Sequence, residues 1–175
     1  MRVIVSDSSC LIDLRKAALL DAIGGLPYEV VIPDTLFEEE LLKFTVAEKS
    51  LLLRIGLEKV ELPGEGVQRA RTLMRHHPGL SIHDCFALAL AERTEGSILL
   101  AGDGRLRAVA DKYKQEVRGV LWILDKMDAS ATASPARLLG ALELFASDPA
   151  VFRLPAREVQ VRLRRFKAIV DRLGQ

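Results

Sequence analysis

Acidic residues at four separated places are the most chemically suggestive feature of this sequence: Asp7, the run Glu38-Glu39-Glu40, Asp84 and Asp103. Asp7 and Asp103 each directly follow an apolar run, Val3-Ile4-Val5 and Ile98-Leu99-Leu100. In open α/β sheets, ligands bind in the crevice beyond the carboxyl ends of the strands. A carboxylate at a strand end therefore lies where chemistry is done. If the acids converge they repel, by about 4 kcal/mol per pair at ~4 Å and an effective dielectric near 20. Gathering them calls for a cation. Oxygen ligands without His or Cys partners suit Mg²⁺ or Mn²⁺. Such ions neutralise phosphate oxygens, activate water and stabilise the leaving oxygen of an in-line displacement.

Each acid also has a plain structural use. Asp7 can open a turn or cap a helix. Ser81-x-x-Asp84 has the spacing of a capping box, with Asp in place of the usual Glu. The glutamates would complement a helix dipole. Gly102-Asp103-Gly104 is a turn signal. The weight therefore falls on the joint order of the four.

The elements that must position these residues alternate. Val3–Val5, Tyr28–Ile32, Ile98–Leu100 and, more weakly, Leu57–Leu62 and Val117–Val120 read as short strands. Helical spacing follows from Cys10 to Leu20, from Pro33 through Phe44, from Thr45 to Ile55, from Val67 to His77, from Ser81 to Arg93 and from Arg105 to Gln115. Strand, helix, strand, helix predicts a parallel sheet between helical layers. Strand ends and the helix starts after them then share one edge. The small-residue stretch Asp128–Ser134 reads as a linker, and two helical segments follow, Pro135–Ala146 and Pro155–Leu173.

Bulk properties narrow the class. The 175 residues suit one domain with an appendage. A net charge of +1 makes any polyanion-binding surface a local matter. No apolar run nears the roughly 18 residues of a membrane span, and the chain enters its first strand without a charged-then-apolar leader. Cys10 and Cys85 have neither zinc nor disulfide spacing. A soluble cytoplasmic protein with buried free thiols is expected.

The ordered pattern Val3-x-x-x-Asp7-x-Ser9, Ile32-Pro33 with the acidic helix, Leu80-Ser81-x-x-Asp84-x-x-x-x-Ala89, and Leu99-Leu100-x-x-Asp103-x-x-Leu106 resembles a PIN domain over about residues 2–125. Gly119-Val120-Leu121-Trp122-Ile123-Leu124 and the helices after it resemble a subgroup with a C-terminal helical extension. The resemblance implies an α/β/α fold and a metal-dependent ribonuclease, in many cases the toxin of a toxin–antitoxin pair. By that likeness Asp7, Glu39, Asp84 and Asp103 hold one or two divalent ions, Mg²⁺ or Mn²⁺. Ser9 orients a carboxylate. Glu39 is selected as the residue six after Pro33; Glu38 and Glu40 are register alternatives. The family often has Thr or Ser two residues before the last aspartate, and here that position is Ala101. His83, beside Asp84, reads as a neighbour that tunes charge or faces solvent, not as a ligand.

An acidic centre must still attract RNA. Arg75 in the Arg69–His77 stretch, and Arg105 and Arg107 just past Asp103, are candidates for phosphate contacts. The Arg-rich tail helix has enough apolar residues, among them Val159, Leu163 and Phe166, to pack on its own domain or on a second copy in a homodimer. The expected division is a nuclease domain over 1–127 and a linker with a helical extension over 128–175. The leading expectation is an endoribonuclease with a neutralising antitoxin partner. The competing one is a non-catalytic module of the same fold that binds nucleic acid or protein.

Overall fold

A computed structural model describes residues 1–174. Five parallel strands form one sheet: β1 (Arg2–Ser6), β2 (Tyr28–Pro33), β3 (Leu57–Val60), β4 (Ile98–Leu100) and β5 (Val117–Arg118), in the order β3-β2-β1-β4-β5. This is the parallel α/β architecture expected, with helices on both faces and a helical C-terminal segment. Ile4, Val5, Ile98 and Leu99 are fully buried, as a strand covered on both faces requires. The chain winds outward from β1 through β2 to β3, then returns to lay β4 on the other side of β1. The β1/β4 boundary is therefore the point where winding reverses, the position at which open α/β sheets bind ligands.

Ten helices carry the chain between and beyond the strands. α1 (Ser8–Lys16) follows β1, with a 3-10 turn at Leu20–Gly25; α2 (Asp34–Glu39) follows β2, and α3 (Val46–Arg54) precedes β3. Next come α4 (Gly64–His76), α5 (Ile82–Arg93), α6 (Gly104–Lys112) and α7 (Val120–Ala129). α8 (Pro135–Ser147), a single turn α9 (Pro149–Phe152) and α10 (Ala156–Leu173) complete the described chain. Two differences from the sequence reading matter. The second helix stops at Glu39 rather than running through Phe44, because Thr45 and Glu48 form a capping box that starts a fresh helix. Leu41 and Phe44 still reach the core from the connecting loop, while Leu42 is left 76 % exposed. The stretch read as a linker is a tight connection: α7 extends to Ala129, and Ala133 is buried.

The tail helices dock on the rest of the molecule. Phe145 and Phe166 are among its largest fully buried side chains, and α8 and α10 share the same buried cluster as the sheet. Arg162 of α10 donates to both oxygens of Asp125 on α7, at 3.1, 3.2 and 2.6 Å. Arg137 clamps Asp21 and the Ala18 carbonyl. Part of the tail's arginine content is thus structural.

Candidate active site

Asp7 ends β1. Its N–H donates to the Leu100 carbonyl (2.8 Å), which ties it to the end of β4. Its side chain caps α1: Ser9 Oγ donates to Asp7 Oδ2 at 2.7 Å, and the Ser9 N–H points to the same oxygen at 3.4 Å. The Gly102 N–H donates to Ser9 Oγ at 2.9 Å. One hydroxyl thus links the acid after β1 to the loop after β4. A Cβ on Gly102 would stand 3.3 Å from Ser9 Oγ, so the glycine permits this close approach. Asp103 is the next residue.

Asp7 is only 3 % exposed. Burial pushes its carboxyl from 3.8 up to about 6; the Ser9 hydroxyl and the Ser8 N–H pull it down, whereas Asp84 and Glu40 push it further up. Asp84 and Glu40 are therefore close enough to repel the Asp7 charge. Residues far apart in sequence, 40 and 84, thus act on the charge of residue 7.

The three glutamates fan out. Glu38 pairs with Lys59 at 2.9 Å on the outer surface. Glu39 has a side chain 62 % exposed and accepts from His83 Nε2 at 2.7 Å. Glu40 is 31 % exposed and turns inward. Its Oε1 is buried without any hydrogen-bond partner, and the nearest cation candidate, His83 Nδ1, is 3.9 Å away. Burial raises the Glu40 carboxyl; His83 and the Ser8 hydroxyl oppose that, and Asp84 and Glu39 add to it. The structure brings Glu40, not the expected Glu39, to Asp7. Glu40 is the C-cap residue just past α2, with φ −108°, so its direction is set by where the helix ends.

Asp84 and Asp103 each cap a helix. Asp84 Oδ2 accepts from the Ser81 N–H (2.8 Å) while Ser81 Oγ accepts from the Asp84 N–H (3.0 Å), a reciprocal capping box. Asp103 Oδ1 accepts from the N–H groups of Arg105 and Leu106 at 2.8 and 3.0 Å. Capping and ligation read from sequence as rival roles. Here the helix-capping bonds of Asp7, Asp84 and Asp103 all fall on one oxygen of each carboxylate. The second oxygen of each stays outside those bonds. Asp103 is exposed, and it is not among the main causes of the raised Asp7 value.

Among the described residues, no three His, Cys, Asp or Glu side chains stand together closely enough to hold a metal ion. The donor set nevertheless suits a hard cation in kind. It consists of carboxylate oxygens alone, includes one buried oxygen with no partner, and carries mutual repulsion that a cation would relieve.

Around this edge, Ala101 supplies backbone instead of a hydroxyl. Its N–H donates to the Arg118 carbonyl (2.9 Å), and its carbonyl accepts from Arg107 Nη1 (3.0 Å). Arg107 is thereby pinned beside the Asp103 loop. Arg105 is exposed on the first turn of α6, and Arg75, on the last turn of α4, reaches only Thr72 of its own helix. His83 lies between Glu39 and Glu40, at 2.7 and 3.9 Å. Sequence reasoning missed Ser8, a buried hydroxyl directed at Glu40, and the Gly102 N–H. The double Ser after Asp7 was the available signal for the first; the second has none in side-chain types.

Comparisons with known proteins agree with this architecture. A family model described as a PIN domain matches residues 3–167. No curated protein and no solved structure gives a significant match. The matched span takes in β1 and Asp7 at one end and most of α10 at the other, and the chain belongs to the PIN domain family.

Proposed function

We propose that this chain is a Mg²⁺- or Mn²⁺-dependent endoribonuclease acting at the edge formed by Asp7, Glu40, Asp84 and Asp103. PIN domains as a class are nucleases that use divalent ions, and the family assignment supports that level of description. The observation that carries the finer reading is the buried Asp7 carboxyl pressed by Asp84 and Glu40, next to a Glu40 oxygen with no partner. Such an arrangement is unfavourable unless a cation joins it.

Asp7, Glu40 and Asp84 would hold the ion, with Asp103 across the crevice. A bound Mg²⁺ or Mn²⁺ supplies charge neutralisation at the phosphate and water of lowered pKa for in-line hydrolysis. The chain's own residues do the positioning. Ser9 fixes Asp7 and holds it in register with the Asp103 loop. The Ser81 box fixes Asp84. Arg107, anchored on the Ala101 carbonyl, places a positive charge where a phosphodiester must approach an acidic edge. Substrate RNA, a neutralising antitoxin, a cytoplasmic setting and a homodimer belong to the same reading; the resemblance of the ordered acidic motifs supports the first two, and the family assignment supports binding of nucleic acid in general. Residues 1–127 would carry the chemistry, with 128–175 as the extension packed against them.

The test is cleavage of RNA with Mn²⁺ or Mg²⁺ by wild type, Asp7→Asn and Asp84→Asn. Loss in both variants is expected, and undiminished metal-dependent cleavage in both contradicts the site. Ser9→Ala is expected to weaken metal-dependent activity by about 10–100-fold, the usual cost of removing a group that orients a ligand. Mn²⁺ dependence of the rate checks it: a lost orienting hydroxyl raises the Mn²⁺ concentration needed for half-maximal activity.

A second reading, a PIN-fold module that binds without cleaving, draws on the ungathered carboxylates. It expects no carboxylate-dependent uptake of Mn²⁺.

A further inference from the structure

Beside the Asp103 loop lies a groove of about 630 Å³, walled by β5, the start of α7 and the Arg153–Pro155 corner that leads into α10. Asp103 stands at one end of it. Arg107, Arg118, Arg153 and Arg162 line it, and besides Asp103 the only acid in its lining is Glu158. The volume falls within the ~300–1,000 Å³ range of ligand-sized clefts.

The four arginines divide into two kinds. Arg118 is paired with Glu116, and Arg162 with Asp125. Arg107 and Arg153 have no carboxylate partner among the described residues; each donates only to a backbone carbonyl, that of Ala101 at 3.0 Å and that of Ala150 at 3.4 Å. Their charges are available to a ligand.

Each of the two is seated in its own way. Arg107 lies across Gly119, where a Cβ would stand 2.9 Å from Arg107 Nη1, so the glycine makes room for the guanidinium. Arg153 ends α9 in the left-handed region, φ 51° and ψ 39°. Glycine is the residue that position favours. An arginine there accepts backbone strain and delivers a cation to the mouth of the groove. Ala18, Lys114 and Ala131 take the same conformation elsewhere, so it is the position of Arg153 in the groove lining that bears on a ligand.

We infer that this groove is a track for the sugar–phosphate backbone of single-stranded RNA, entering at Asp103 and gripped by Arg107 and Arg153, so that the C-terminal extension forms half of the substrate path. The inference rests on the reading of the acidic edge as a ribonuclease site and assigns where its substrate continues. Recognition here is by charge. The one aromatic in the lining, Trp122, already packs on Tyr28 and lies under Lys126. Binding through the track is therefore indifferent to base sequence.

The experiment measures anisotropy of a fluorescein-labelled single-stranded RNA of mixed sequence, across a salt series, with EDTA present to prevent cleavage. The proteins are wild type, Arg153→Gly and Arg107→Gln. Arg153→Gly is expected to be at least as thermally stable as wild type, since glycine relieves the left-handed backbone. It is nevertheless expected to bind about tenfold more weakly, with the salt slope reduced by about 0.7. Arg107→Gln is expected to show the same loss in slope. Wild-type affinity and slope in both variants would overturn the track. So would failure of wild type to bind the RNA. RNA that is cleaved normally but bound equally by all three proteins removes the track and leaves the ribonuclease reading. Arginine-dependent binding without metal-dependent cleavage sustains the track and removes the ribonuclease reading.

Discussion

Asp7→Asn is expected to abolish metal-dependent cleavage and, in the same protein, to stabilise the fold. The activity loss is expected to exceed about a hundredfold, the upper end for removing a group that merely supports a ligand. The stability gain follows from burial. Unfolded Asp7 ionises near 3.8, and the folded residue near 6. Between those values the folded state holds a proton that the unfolded state has released. Stability therefore falls as pH rises through that window and stays lower above it. Raising this carboxyl from 3.8 to about 6 corresponds to about 3 kcal/mol at neutral pH. Asparagine keeps the shape and can still accept from Ser9, but it carries no charge. The variant is expected to exceed wild type by up to about 3 kcal/mol at pH 7.5 in denaturant unfolding without metal, with the difference closing near pH 4. Asp13 is also raised by burial to about 6, but it is present in both proteins and drops out of the comparison. A variant less stable than wild type at pH 7.5 would mean that the Asp7 charge is not a burden to the fold.

The second large effect separates three adjacent identical residues. Glu40→Gln is expected to lower metal-dependent cleavage by at least about a hundredfold, while Glu39→Gln stays within a few-fold of wild type. The reason is direction. Glu40 pushes on Asp7 and keeps a buried, unpartnered oxygen, whereas Glu39 is spread on the surface against His83. Single-turnover cleavage with saturating Mn²⁺ reads both. A large loss in Glu39→Gln with none in Glu40→Gln would return the site to the register that motif spacing suggests.

That register shows where sequence information ended. Val3–Val5 and Ile98–Leu100 were legible because strands buried on both faces must be apolar throughout, and residues after such runs fall at a sheet edge. Asp7 and Asp103 were placed at that edge this way, and both do follow strands there. The capping box of Asp84 was legible in its spacing, and spacing could not tell that the capping bond uses one carboxylate oxygen and leaves the other outside it. The choice among Glu38, Glu39 and Glu40 was not legible, because it depends on the residue at which α2 stops. Apolar spacing carried that helix to Phe44, since Phe37, Leu41 and Phe44 do all bury. The capping box at Thr45 breaks it, and the break aims Glu40 inward. The stretch 128–134 read as a linker because small residues suit open chain; they suit tight packing equally, and Ala133 is buried. The groove at the Asp103 loop draws on residues from 102 to 162, and no local pattern announces it.

The most direct test of the account is calorimetric titration with Mn²⁺ of wild type and Asp7→Asn at pH 7.5. Wild type is expected to take up Mn²⁺ saturably, and the variant is expected to lose that uptake. Equal uptake by both proteins, or none by wild type, would contradict it.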